Sequence, residues 1–146
     1  MRLRCAIIED LRPDAQALER ALLAASAHSC RLQCTLYASG NEFLRRGALS
    51  EQDVIFLDIR MPGLDGIETA RYLRGEDPRI PIVFVTSSEE YVWDALPLHP
   101  FDYLRKPYDD ARVRKLLDDL LAALGRPEPE LELRVARQLI QVPFRR

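Results

Sequence analysis

Five short runs of apolar, β-branched and aromatic residues recur along the chain: Leu3 to Ile8, Leu32 to Tyr37, Val54 to Leu57, Ile82 to Thr86 and Phe101 to Leu104. Each has the length and composition of a strand. The segments between them carry helical spacing instead. After Arg12-Pro13, a proline suited to a helix start, Ala15, Leu18, Leu22 and Ala25 share one face. A second helix is expected to open at Ser39, with Glu42 three residues on, and a third at Asp65, with Glu68 in the same relation, both at capping-box spacing. A fourth, around Glu89 to Leu96, is short, weakly periodic and closed by Pro97, so it should be the least stable of the set. The fifth is the clearest, with Val113, Leu116, Leu117, Leu120, Leu121 and Leu124 in one apolar stripe that ends at Gly125. Strands and helices that alternate five times predict a parallel sheet covered on both faces.

Past that stripe the pattern changes. Residues 1–124 are expected to form one compact domain, and Gly125-Arg126-Pro127-Glu128-Pro129-Glu130 reads as a linker. Over 131–146, Leu131, Leu133 and Val135 alternate with charged residues, and Ile140, Val142 and Phe144 alternate again, as in a β-hairpin. A lone hairpin is marginal in water. It therefore either packs on something else or opens a further domain, and the second is the favoured expectation.

Composition narrows the function. A length of 146 residues, 47% of them hydrophobic, suffices for one domain with a substantial core, and a formal charge of −2 gives no basic surplus for nucleic-acid binding. No apolar run approaches the roughly 20 residues of a membrane helix, and the N-terminus enters a strand-like run at once, unlike a signal peptide. Three cysteines, an odd number, give no complete disulfide framework. A cytoplasmic location is expected. His28, Cys30 and Cys34 lack a fourth ligand at zinc spacing, and Cys34 alternates with polar neighbours as a strand residue facing a core.

Candidate chemistry sits at strand ends. In open parallel sheets, ligands bind outside the carboxyl ends of the strands, where the strand order reverses. Glu9 and Asp10 follow the first strand, Asp58 follows the third, Thr86 ends the fourth and Lys106 follows the fifth. In a flavodoxin-like, doubly wound order 2-1-3-4-5 the first and third strands are neighbours, so these carboxylates converge. Three carboxylates in a partly dry pocket repel one another by an amount on the order of kcal/mol per pair, which calls for a cation. With Lys106 counted, a divalent ion balances the cluster, and all-oxygen ligands favour Mg²⁺ or Mn²⁺ over zinc.

The acidic pair in IIEDLRPD, the run VIFLDIRMPGLDGIE, the hydroxyl ending IVFVTS and the sequence FDYLRKP together resemble the receiver domains of two-component response regulators, over about Leu3 to Leu124. That resemblance implies Asp58 as phosphoacceptor, with Lys106 and Thr86 as its catalytic companions. It implies Glu9, Asp10, Asp58 and the Arg60 backbone carbonyl as metal ligands, and Thr86 and Tyr103 as a switch pair. Pro107 matches a proline typically preceded by a cis bond, which would aim the lysine inward. A sensor histidine kinase is the implied phosphoryl donor. The implied read-out is a reshaped surface of helix 4, strand 5 and helix 5 that controls dimerisation.

The linker and hairpin pattern after FDYLRKP resembles LytTR-type transcription regulators, whose β-rich DNA-binding domain would be only begun here. A receiver acting by protein contact alone is the rival. Each residue taken singly has a plainer role: Glu9-Asp10 as a solvated turn, Lys106 as a surface lysine, Tyr103 as a core aromatic and Trp93 as packing or a partner-facing ring. Gly63 and Gly66 permit the tight turn after Asp58. His99 is given no catalytic role. Haloacid-dehalogenase-like phosphatases also combine an aspartate nucleophile with Mg²⁺, but their general acid two positions on is here Arg60, and no GxSxG or GxxxxGK[ST] string occurs, so a turnover enzyme is not expected.

Overall fold

The structure, a computed structural model, describes residues 2–125 apart from His28, Pro62 and Leu64. The linker beyond Gly125 and the hairpin expected over 131–146 lie outside the described residues, as does His28.

Five parallel strands, β1 (Arg2–Ile8), β2 (Arg31–Tyr37), β3 (Val54–Asp58), β4 (Ile82–Thr86) and β5 (Asp102–Arg105), form one sheet in the order β2-β1-β3-β4-β5. This is the expected doubly wound, flavodoxin-like order. Strand β5 sits one residue later than its apolar run suggested. Phe101 nonetheless donates its N–H to the Ile82 carbonyl at 2.8 Å, so pairing begins at its backbone.

Helices α1 (Arg12–Ser26) and α5 (Asp110–Leu124) cover one face, while α2 (Gly40–Arg46), α3 (Gly66–Glu76) and the single turn α4 (Val92–Ala95) cover the other. The period-2 rule of a strand divides the core accordingly. Leu3, Cys5, Ile7, Val54 and Phe56 pack with Leu18 and Leu22 of α1 and Leu116, Leu117 and Leu120 of α5. Ala6, Ile8, Ile55 and Leu57 pack with Phe43 of α2 and Ile67 and Leu73 of α3. Because β3 and β4 are buried on both faces, they read as unbroken apolar runs. Each leucine of the α5 stripe that leaves water contributes about 1.5–3 kcal/mol.

The helix starts follow the caps. The Asp65 carboxylate accepts from Glu68 N–H and the Glu68 carboxylate accepts from Asp65 N–H, a complete capping box. At α2 the Ser39 hydroxyl accepts from Glu42 N–H as expected, but Glu42 reaches one residue further back, to Ala38 N–H, so the box is open. The fourth helical segment is shorter than expected. Only Val92–Ala95 is α-helical, and Pro97 sits inside a following 3₁₀ turn, Leu96–Leu98, rather than closing the helix.

Arg74 fastens the end of that turn. Its guanidinium donates to the carbonyls of Leu98 (2.7 Å), Ile80 (2.6 Å) and His99 (3.1 Å). His99 there adopts a left-handed conformation, φ 54°. The half-buried Cys34 packs against the α1/α5 side of the core, as its alternation implied, and Cys5, Cys30 and Cys34 are all free thiols. Trp93 is 80% exposed, which excludes the packing role for its ring. None of the described helices is long and apolar enough to cross a membrane.

Candidate functional site

The site forms where β1 and β3 end side by side. Ile8 is in register with Leu57, so the next residues, Glu9 and Asp58, emerge together at the carboxyl edge of the sheet. One carboxylate oxygen from each of Glu9, Asp10 and Asp58 lies within 4.8 Å of the others. Glu9 and Asp58 are buried and Asp10 is half-buried. The convergence expected from strand order is therefore present.

Two glycines shape the chain after Asp58, each in its own way. Gly63 takes φ +75°, a conformation that side chains disfavour, and so serves the turn. Gly66 begins α3 and serves close approach instead: a Cβ there would collide with the Asp58 carbonyl oxygen and lie 2.6 Å from Ile59 Cα. Gly66 N–H donates to the Ile59 carbonyl at 2.8 Å, which draws the helix start onto the strand end.

Burial and the neighbouring Glu9 carboxylate push the Asp58 acid up to about 7, against a partial counter-effect from Lys106 and a backbone hydrogen bond from Arg60. This is what crowded, desolvated carboxylates do without a cation among them. All donors are carboxylate oxygens, so the cluster suits a hard divalent cation of the Mg²⁺ kind. Among the described residues it is the one such His, Cys, Asp and Glu grouping, and no cysteine takes part.

Lys106 directly follows β5 and is joined to Pro107 by a cis peptide bond. Its ammonium donates to Glu9 Oε1 and to Asp14 Oδ2, each at 2.8 Å. Burial works against its charge, but the hydrogen bonds to Asp14 and Glu9 outweigh that and hold its pKa above the usual lysine value. Asp14 was given no role on sequence grounds. Its one signal there is position, an acidic side chain in the first turn of α1, at the edge of the sheet where the other carboxylates gather.

Thr86 ends β4 fully buried, and its hydroxyl accepts from Ser88 N–H at 3.4 Å. Tyr103 is half-buried against the α3-side core. Its ring centroid lies 6.4 Å from that of Phe84, and its hydroxyl donates to the Ser88 carbonyl at 2.8 Å. Ser88 thus joins the two residues expected to form the switch. The Arg60 side chain turns outward, pairing with Glu90 at 3.6 Å with its guanidinium 5.9 Å from the Tyr91 ring centre. Both partners are more than half exposed, so this pair contributes little stability. Ile59, Arg60, Met61, Asp65 and Tyr91 line an open groove of about 390 Å³ beside the site.

Fold and site together define a class, and comparison with known proteins agrees: residues 6–118 match the response regulator receiver domain, and the chain belongs to that family. It is 34% identical over 114 residues to the DNA-binding transcriptional regulator NtrC of Klebsiella pneumoniae, covering 77% of this chain and 23% of that protein. It is 35% identical over 94 residues to the sensory transduction protein LytT of Oceanobacillus iheyensis, covering 63% of this chain and 38% of that one. The chain thus spans well under half the length of these relatives. Among solved structures, the response regulatory domain of protein mrkE from Klebsiella pneumoniae superposes with a TM-score of 0.76 at 28% identity, over 86% of this chain and all of that one. Residues 6–118 are thus a receiver domain of the two-component response regulators.

Proposed function

We propose that this receiver is a phosphorylation switch in which Asp58 accepts a phosphoryl group from a phosphohistidine of a sensor histidine kinase. The observation that carries this reading is the meeting of three carboxylates within 4.8 Å, with a lysine ammonium bonded to one of them. Glu9, Asp10 and Asp58 hold a divalent cation, Mg²⁺ or in its place Mn²⁺, with the Arg60 backbone carbonyl completing the protein's ligand set. When bound, the ion neutralises the carboxylates and offsets charge on the phosphoryl oxygens.

Only the carboxylate form of Asp58 is a nucleophile, and a bound cation would favour that form against the burial and the Glu9 charge that oppose it. An Asp58 oxygen then attacks phosphorus in line while the P–N bond to the donor imidazole breaks and its electron pair leaves on nitrogen. Lys106 pairs with the phosphoryl oxygens, and the Thr86 hydroxyl donates to one of them. Phosphoryl transfer asks for little beyond this positioning and charge stabilisation. The resulting acyl phosphate hydrolyses, so the signal is transient and the domain performs no turnover chemistry on another substrate.

Read-out follows from Thr86. When its hydroxyl moves toward the phosphoryl group, the Ser88 N–H loses its acceptor and the Tyr103–Ser88 bond is placed under load. The surface of α4, β5 and α5 changes as a result, and homodimerisation follows. The likeness to the DNA-binding transcriptional regulator NtrC supports an output in transcription, through a DNA-binding domain of which the 131–146 segment would be the LytTR-like beginning, and the reading places that action in the cytoplasm. No membrane contact is involved.

The test is incubation with Mg²⁺ and acetyl phosphate, followed by intact-mass measurement of wild type and Asp58→Ala. Wild type gains one phosphoryl mass that survives acid and is lost in base, and the variant gains none. Equal labelling of both proteins overturns the assignment.

A further inference from the structure

The lysine that serves Asp58 is not bonded to it. Among the described residues the ammonium of Lys106 makes two hydrogen bonds, to Glu9 Oε1 and Asp14 Oδ2, and no ion pair within 4.0 Å links it to Asp58. Asp14 lies 92 residues away in the chain, in the first turn of α1, and its side chain is 39% exposed. It sits outside the carboxylate trio of Glu9, Asp10 and Asp58.

Resting on the phosphoacceptor reading, we infer that Asp14 is a positioning residue that holds Lys106 in a parked state, away from Asp58, and so sets the balance between cation and phosphoryl binding. The reasoning is electrostatic. Two carboxylates, Glu9 and Asp14, share one ammonium, and each contact that Lys106 makes with Asp14 is one it cannot make elsewhere. While Asp14 shares the ammonium, Glu9 is less completely neutralised and stays available to a cation. When an anionic phosphoryl group arrives on Asp58, Lys106 must give up Asp14 to reach it, and the freed Asp14 charge opposes the anion as well. Removing the Asp14 charge should therefore act with opposite sign on the two ligands. It should tighten binding of the anion and weaken binding of the cation, because Lys106 then leans on Glu9. Loss of folding cannot give this pattern, since it weakens both.

Two titrations with Asp14→Asn test this, with Asp14→Ala as a second variant of the same expected behaviour. Beryllofluoride, a phosphoryl mimic, is titrated at saturating Mg²⁺ and followed by ¹⁹F NMR. Its affinity is expected to rise about two- to fivefold, the upper part of the range for one partly exposed charge pair. Mg²⁺ alone is titrated calorimetrically with Lys106 intact and in a Lys106→Met background, as a double-mutant cycle. The Asp14 substitution should weaken Mg²⁺ about threefold when Lys106 is present and lose most of that effect when it is not. An unchanged beryllofluoride affinity, or a Mg²⁺ effect of equal size in both backgrounds, overturns the role. If the wild type itself binds no beryllofluoride, the phosphoacceptor reading fails and takes this inference with it.

Discussion

The two faces of the sheet are built to different standards. On one, α1 and α5 run for 15 residues each and seal a continuous core, with Leu22, Leu116, Leu117 and Leu120 wholly buried. On the other, α3 is well capped, but its neighbour α4 has four residues and offers Ala95 as its one buried side chain, while Trp93 and Leu96 face solvent. A domain that must be both scaffold and signal can divide the two tasks this way. The dense face fixes where the strand ends point, and the thin face can be rearranged at small cost. The site lies between them: Glu9 leads into α1, and Thr86 leads through Ser88 into α4.

Breaking the dense face should have the largest effect. Leu117→Ala leaves a cavity among α5, α1 and the sheet and is expected to lower unfolding free energy by about 3–5 kcal/mol in denaturant titration. A loss below about 1 kcal/mol would put both faces on the same footing. An intermediate effect, of opposite sign, is expected at the site itself. In unfolded chain an aspartate ionises near 4, whereas in the folded protein without a cation Asp58 is pushed up to about 7. Between those values the unfolded state sheds a proton that the folded state keeps, so folding becomes less favourable as pH rises through this window and levels off above it. Asp58→Asn removes the penalty. In the presence of a chelator it should match wild type near pH 4 and exceed it by roughly 1–2 kcal/mol at pH 8, after allowance for solvent screening. A gap that is flat with pH would contradict the crowding of Asp58 by Glu9. The smallest effect belongs to the thin face. Trp93→Ala should change stability by less than about 0.5 kcal/mol, because its ring covers nothing.

How much was legible in the sequence follows the same division. Strands buried on both faces and helices with long stripes announce themselves, because burial repeats at a fixed spacing; α5 and the β3 run needed nothing else. The capping box at Asp65 was equally plain, being local. Helix α4 was legible as weak but not in extent, since four residues carry no period and the 3₁₀ turn accommodates Pro97 at its start. Among the site residues, those at strand ends could be placed from strand order alone. Asp14 could not, because its partner is 92 residues away and no spacing links a first-turn aspartate to one particular lysine. The Ser88 carbonyl, which receives the Tyr103 hydroxyl, was hidden for a related reason: backbone acceptors leave no mark in a residue string.

The Arg74 side chain gives the thin face a mechanical asymmetry. By gathering the carbonyls of Ile80, Leu98 and His99 onto one guanidinium, it rivets the exit of the α4 segment to the corner where α3 hands over to β4. The segment's entrance, at Ser88, is held by the Thr86 and Tyr103 hydroxyls, by the Ser88 hydroxyl accepting from Glu90 N–H and by the exposed Arg105–Glu89 pair beside it. The Arg74 anchor thus sits at the end of the segment remote from Thr86, so the two ends of α4 and its 3₁₀ turn are held by different chemistry.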